Sequence, residues 1–459
     1  MARLGIKNRF NGRDARSHSA GSLSEETNAA VPEKFEGSFD RTAAAHLLRR
    51  AGFGATRERL TRATEAGLSK TLDELFTRNV DDDAMGAGVR HLLALEKIEP
   101  IQAHWFALLI ADHDPLVERV NLMWHNHFAT SFDKVSDSRL MYRQIALFRE
   151  HGLGDFRLLL HRAAQDPAML VWLDGDLNRR GQANENFARE VMELFGLGIG
   201  NYTEEDIREA ARAFTGWGVR QRQFVFRKQY HDPGEKLIFG HQGNFVGEEV
   251  IDLVLGQPAC AHHIAKRLLG EFVLPKPTDS EVQTWAAVLL EEEWNIGRTL
   301  RRLFSSGLFF SDRARRSRIA GPVELLISRC ISLGARPAPM ELARAATNMG
   351  QALLRPPSVK GWDGGRTWIH AGSWIARHEF LSQLLRGEVV GTAPDLTQVF
   401  GKEKDEELVN SALELLLPDG VSQSFRTTLI TAARNADGEA DAARRITTLI
   451  LTSPDAHLI

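Results

Sequence analysis

The chain has 459 residues, 43% of them hydrophobic and 25% charged, and 57 Lys and Arg against 60 Asp and Glu leave a net charge of −3. That length exceeds one simple core and suggests two domains, or one large helical domain with insertions. The near-neutral balance excludes an electrostatic footprint for DNA, RNA or an anionic membrane, and no run of about 18 apolar residues could span a bilayer. The two cysteines, Cys260 and Cys330, sit in apolar helical patterns and read as buried thiols, with no disulfide framework or thiolate metal site.

In chain order, residues 1–37 are polar and read as a disordered arm. They lack the apolar stretch of a secretory signal and a twin-arginine pair ahead of one, so the default location is cytoplasmic. From Thr42 the apolar spacing is mostly three and four, as at Ala45 and Leu48, and a long pattern runs from Ile101 to His113. Pro115 restarts a helix through Val117, Val120 and Met123 into Trp124-His125-Asn126-His127-Phe128. Further helices are predicted over 138–151, 156–165, 184–195, 204–215, 258–272, 279–292, 297–305, 323–334, 339–351 and 373–385, with three more after Asp405. The exception is 223–228 and 236–239, where alternation on either side of Asp232-Pro233-Gly234 predicts one β-hairpin. The expected class is mainly α: a large multi-helix domain over 38–385 with one small hairpin insertion, then a C-terminal helical bundle segment over 386–459.

The stretch from Asn184 to Phe195 carries the most information. At roughly 100° per residue, Phe187, Val191, Leu194 and Phe195 define a core face, with Asn186, Glu190 and Glu193 along its edge. Two carboxylates so placed suffer desolvation and mutual repulsion, so something cationic or proton-sharing should compensate. The plain account is an Arg189–Glu193 salt bridge and an Asn184 or Asn186 helix cap.

Other polar clusters carry the same ambiguity. His125 and His127 point about 200° apart on a helix, and could share a metal only where the helix unwinds. Asp232-Pro233-Gly234 is ordinary turn chemistry, which leaves His231, Glu235 and Lys236 unexplained. Trp362, Trp368 and Trp374 lie in or beside a glycine-rich loop with Lys360 and Arg366. That loop suits stacking on a sugar ring, gripping an anion, or simple packing. Asp174-Gly175-Asp176-Leu177-Asn178 is a weak calcium-loop signal without the EF-hand Gly and Glu. The run Arg313, Arg315, Arg316, Arg318 reads as a solvated patch.

A family resemblance emerges from these residues. His46-Leu47-Leu48-Arg49-Arg50-Ala51-Gly52-Phe53-Gly54-Ala55-Thr56, the segment 124–131 and Asp166-Pro167-Ala168-Met169-Leu170 fit one pattern in order. So do 184–217, 231–236 and 355–368. Together they resemble the bacterial family known as domain of unknown function 1800 (DUF1800), over about Phe39 to Phe380. The resemblance implies a similar helical pattern. Many members carry a twin-arginine export signal, and their genes often neighbour a family resembling alkaline phosphatases and sulfatases, which implies a functional link to such a partner. This chain departs by lacking a recognisable signal and by having His370-Ala371-Gly372-Ser373-Trp374 where members more often resemble Asn-Thr-Ser and aliphatic residues.

Residue roles follow from chemistry alone. His125, His127 and His231 would bind one divalent metal ion, with Glu190, Glu193 and Asp232 as catalytic carboxylates. Arg189, Asn184, Asn186, Lys360, Trp362, Arg366 and Trp368 would contact substrate, with His46 in support. The expected function is a metal-dependent hydrolase-type enzyme activating water on an anionic or carbohydrate-like substrate, a small molecule or a polysaccharide. One alternative is a metal-free carbohydrate-active enzyme with paired carboxylates. The other is a non-catalytic binding or scaffold protein whose motifs form a buried polar network.

Overall fold

A computed structural model describes residues 32–78, 82–401 and 403–459, with the backbone alone over 82–87. Among them are 22 α-helices and three two-stranded antiparallel sheets, so the fold is mainly α with small β insertions. The helices begin where short polar side chains can take the free amides of the first turn. Asp137 accepts from the amides of Arg139 and Leu140 to start Ser138–His151, and Asp155 accepts from that of Arg157 to start Phe156–Ala164. Thr203 with Asp206, and Thr278 with Glu281, form reciprocal capping boxes for Glu204–Ala213 and Asp279–Glu291.

Two apolar cores result. One gathers side chains from Ala43 to Ala314 around Trp124, Phe128, Phe156, Phe187 and Trp217. The other joins Trp105, Phe106 and Ile145 to Ile327, Cys330 and the C-terminal helices as far as Ala456. The Pro115–His127 helix serves both, sending Leu116, Val120 and Trp124 into the first and Leu122 into the second. Every residue of this helix except Asn126 is buried, including Glu118 and Arg119. A charged residue on such a helix must find its partners inside the protein. No helix among the described residues is long and apolar enough to cross a membrane, and both cysteines are buried free thiols.

Three local departures from the sequence reading have physical causes. The expected hairpin is two hairpins: Gln223–Phe226 pairs with Trp217–Arg220, and Lys236–Ile238 pairs with His241–Gly243. Each closes on two residues of positive φ, Gln221-Arg222 and Phe239-Gly240, the backbone that tight hairpins require. The Asp-Pro-Gly turn instead lies on the loop between them. Next, the Glu185–Glu190 α-helix continues as a π-helix over Val191–Leu197. The wider turn takes Glu193 away from Arg189, which pairs with Glu185 and Glu204. Finally, most of the expected N-terminal arm lies outside the described residues, but its end is docked. The Phe35 amide donates to the Ser305 carbonyl at 2.9 Å, and the Phe35 ring packs on Phe310 with centroids 4.1 Å apart.

Candidate functional site

Five segments enclose a cleft of about 730 Å³. Arg119, Met123 and Asn126 enter from the Pro115–His127 helix, and Glu193, Leu194 and Leu197 from the π-helix. His262, His263, Lys266, Arg267 and Glu271 come from the Pro258–Phe272 helix. Arg318, Gly321 and Glu324 stand at the start of the Pro322–Ser332 helix, and Trp362, Gly364, Gly365 and Trp368 come from the tryptophan loop.

The π-helix wall is held by two histidines. The last carbonyls of a helix have no partner within it. Here His263 Nε2 donates to the Leu194 carbonyl at 2.9 Å and His127 Nε2 to the Phe195 carbonyl at 3.1 Å. Burial holds both imidazoles below their ordinary pKa, reinforced by nearby Arg267. Each is therefore neutral at physiological pH, with its single N–H on the nitrogen facing the carbonyl. π-turns of this kind are frequent at functional sites. The Tyr202 hydroxyl donates to the carboxylate of Glu193, which lines the cleft. Burial, with the Glu193 carboxylate beside it, raises the Tyr202 hydroxyl to about 12, so it remains a donor.

The tryptophan loop is fastened to the end of the Pro115–His127 helix. The Trp362 amide donates to Asn126 Oδ1 at 2.8 Å, and Asn126 Nδ2 donates back to the Trp362 carbonyl at 3.4 Å. Gly361, at φ +81°, makes this approach possible, because a Cβ there would lie 2.2 Å from Asn126 Oδ1. Trp362 and Trp368 line the cleft yet are only 8% and 9% exposed. They form a packed wall, and the open stacking platform expected of them is absent.

The cleft floor is a buried ionic network. Arg119, with 1% of its side chain exposed, bonds Glu271 at 2.7 Å and also Glu324. Arg318 reaches Glu324 at 3.2 Å and Glu271 at 3.4 Å. Burial alone would push the Glu271 carboxyl up, but Arg119, Arg318 and Arg267 outweigh it and hold the group down, near 2. Glu324 is held down in the same way by Arg119 and Arg318. Arg267 itself has no carboxylate within salt-bridge reach among the described residues; its Nη2 donates to the Met123 carbonyl at 3.4 Å.

Of the residues expected from sequence, Glu193, Trp362 and Trp368 line this cleft and the others do not. Glu190 is half-buried outside it, its carboxyl raised by burial and by repulsion from Glu193. Arg189 is spent on Glu204 at 2.7 Å and Glu185 at 3.2 Å, and Lys360 on Asp363 at 2.6 Å. Asn184 caps its helix through the Asn186 amide, Asn186 donates to the Leu173 carbonyl at 3.1 Å, and Arg366 is exposed. His46 Nε2 donates to the Phe309 carbonyl at 2.9 Å.

The three expected metal ligands do not gather. His125 Nε2 accepts the Leu354 amide at 3.0 Å, and burial drops its pKa to about 3. His127 is committed to the Phe195 carbonyl and His231 Nδ1 to the Thr215 carbonyl at 3.0 Å. The helix runs to His127 without unwinding, so the two imidazoles of the His-x-His pair diverge. Among the described residues no group of three or more His, Cys, Asp or Glu could hold a metal ion. Asp232 belongs to a separate cluster: Arg212 Nε donates to it at 2.9 Å, and Lys236 Nζ donates to the Asp232 and Gly234 carbonyls at 2.7 and 2.9 Å. In the calcium-like loop, Asp174 pairs with Lys134 at 2.7 Å, and the buried Asn178 donates to the Ala211 carbonyl at 2.8 Å.

The sequence reading missed the face of the Pro258–Phe272 helix that carries His262, His263, Lys266 and Arg267. The signal was present, since His262/Lys266 and His263/Arg267 are i,i+4 pairs on one side of a helix. It also took Arg318 for solvent-facing, whereas that side chain is 13% exposed and turned into the network.

The model of the family described as protein of unknown function DUF1800 matches residues 46–458, nearly the whole chain. The protein belongs to that family. No curated protein and no solved structure matches it.

Proposed function

We propose that the cleft is the site at which this protein binds a small polar ligand, and that Glu193 is its proton-transfer group, in a reaction of the hydrolase type. One observation carries the reading. Among the described residues, Glu193 is the carboxylate of the cleft lining that no cation engages, with Glu271 and Glu324 bound to arginines and Asp363 to Lys360. A general acid or base needs such freedom together with a defined orientation, which the Tyr202 hydroxyl supplies. The family motifs support the same place, since Asn126, Glu193 and Trp362 come from three separate motif segments and meet here.

Chromogenic p-nitrophenyl phosphates, sulfates, esters and glycosides test this reading. Wild type is expected to turn over at least one class, and Glu193→Gln to lose about 100-fold or more in kcat at an unchanged melting temperature. Equal turnover by both proteins would overturn the assignment. A second reading is favoured by the paired arginines of the floor: a purely structural network that fixes helix packing. It expects no turnover and no ligand protection of the cleft.

A further inference from the structure

We propose that the ligand of this cleft carries an anionic group, a phosphate, sulfate or carboxylate, seated against Arg267 and Lys266 above the Arg119–Arg318 floor. The inference rests on the cleft being the ligand site and adds the charge of what enters it.

The argument is one of charge balance in a confined place. Lining the cleft or lying directly behind its floor are Arg50, Arg119, Lys266, Arg267 and Arg318. Facing them are Glu193, Glu271 and Glu324, because Asp363 is neutralised by Lys360. Glu271 and Glu324 are already shared between Arg119 and Arg318. Lys266 and Arg267 are left with no carboxylate at ion-pair distance among the described residues, Glu271 acting on Arg267 only from farther off. So is Arg50, fully buried behind the floor, which donates to the Ala314 carbonyl and to the Ser317 hydroxyl at 3.0 Å. Unused donors accompany the surplus: the Nε atoms of Arg50, Arg119 and Arg267 are buried with no hydrogen-bond partner.

A buried cation without a counter-charge is costly, and proteins either pair it or lose it. Burial and the other arginines push Arg50 and Arg267 down from their ordinary pKa, the sign expected of cations short of negative charge. An anion from outside completes the balance. Guanidinium groups suit oxyanions because their parallel N–H groups match two oxygens at once. A volume near 730 Å³ leaves room for a molecule larger than the anionic group itself. Arg189, Lys360 and Arg366, the cations first expected to hold an anion, line no part of this space.

The test is a titration of the full chain at constant ionic strength with sodium phosphate, sodium sulfate, glucuronate and glucose, read by calorimetry, melting temperature and tryptophan fluorescence. Phosphate, sulfate or glucuronate is expected to bind saturably and raise the melting temperature, with glucose inert. Phosphate and sulfate binding without glucuronate would assign the tetrahedral oxyanions. Glucuronate binding alone would assign a sugar carboxylate. Arg267→Met is expected to weaken the bound anion by about 100-fold and Lys266→Ser by about tenfold. Arg344→Ser, on the surface away from the cleft, should leave it unchanged. Without ligand, Arg267→Met should melt close to wild type, since it removes a cation that makes no ion pair; if it does not fold, the exposed Lys266 decides. Equal anion affinity in wild type and Lys266→Ser would overturn the inference. Glucose bound at the cleft with no anion bound would overturn it while leaving the cleft reading intact. No probe protecting the cleft tryptophans would overturn both.

Discussion

The Asp232 loop and the cleft floor are made of the same materials, arginines set among carboxylates, yet they differ in completion. Around Asp232, Arg212 pairs with both Asp232 and Glu209, and Lys236 and His231 are spent on backbone carbonyls. Thr215 completes the loop by accepting the Asp232 amide at 2.7 Å. These contacts tie the Asp232 turn and the Lys236–Ile238 strand to the Glu204–Ala213 helix. The floor shares two glutamates among more arginines than they can neutralise and leaves donors idle. Polar density in a sequence therefore does not distinguish structure from function; unused donors count only where, as here, they stand at a cavity.

The comparison is tested most severely at Glu324. Removing one acid from a network already short of negative charge leaves buried guanidiniums unpaired, so Glu324→Ala should cost about 3–5 kcal/mol in urea unfolding. A loss under about 1 kcal/mol would mean that water or ions reach the floor freely. Next in size is Gly361→Ala, which sets a methyl group against Asn126 in a left-handed backbone. About 2 kcal/mol or more of stability should go, along with any ligand protection of the tryptophan loop, as followed by hydrogen exchange.

Asp232→Asn should cost about 1–2 kcal/mol at neutral pH, the value of charged hydrogen bonds on a partly exposed group. Its pH signature is more specific. The Arg212 hydrogen bond lowers the Asp232 carboxyl from 3.8 to about 2. The unfolded chain thus binds the proton first as pH falls, and the stabilisation is complete above about pH 4 and lost on descending through pH 2. Wild type should therefore lose urea resistance more steeply than Asp232→Asn between pH 4 and 2. Parallel slopes would show that the Arg212 pair contributes nothing. The smallest effect belongs to Lys360→Ala, an exposed pair whose loss should stay within about 0.5 kcal/mol in urea unfolding.

Much of the fold was legible because the helices announce themselves twice, by apolar spacing and by caps. Ser138–His151 and Pro258–Phe272 fall where the pattern placed them. The hairpins were misjoined because Asp232-Pro233-Gly234 is a stronger turn signal than Gln221-Arg222, whose positive φ angles are imposed by strand pairing. Glu193, Trp362 and Trp368 were singled out from the sequence and meet at the cleft, whereas Asn126 was not singled out and His231, expected beside them, does not line it. The π-turn was not foreshadowed, since i→i+5 bonding leaves no simple periodicity. Lys266 and Arg267 were hidden because cations on an amphipathic helix ordinarily face water. Only the tertiary fold reveals that this polar face looks onto a cavity.

The bonding of Trp362 to Asn126, with Gly361 allowing the close approach, makes one jaw of the cleft continuous with the helix that crosses both cores. The opposite jaw ends in a loop where Gly198 and Gly200 flank Ile199, whose side chain is 79% exposed. A guest larger than the gap should therefore be admitted on the Ile199 side, where glycine torsions cost little, with the packing of the cores left undisturbed.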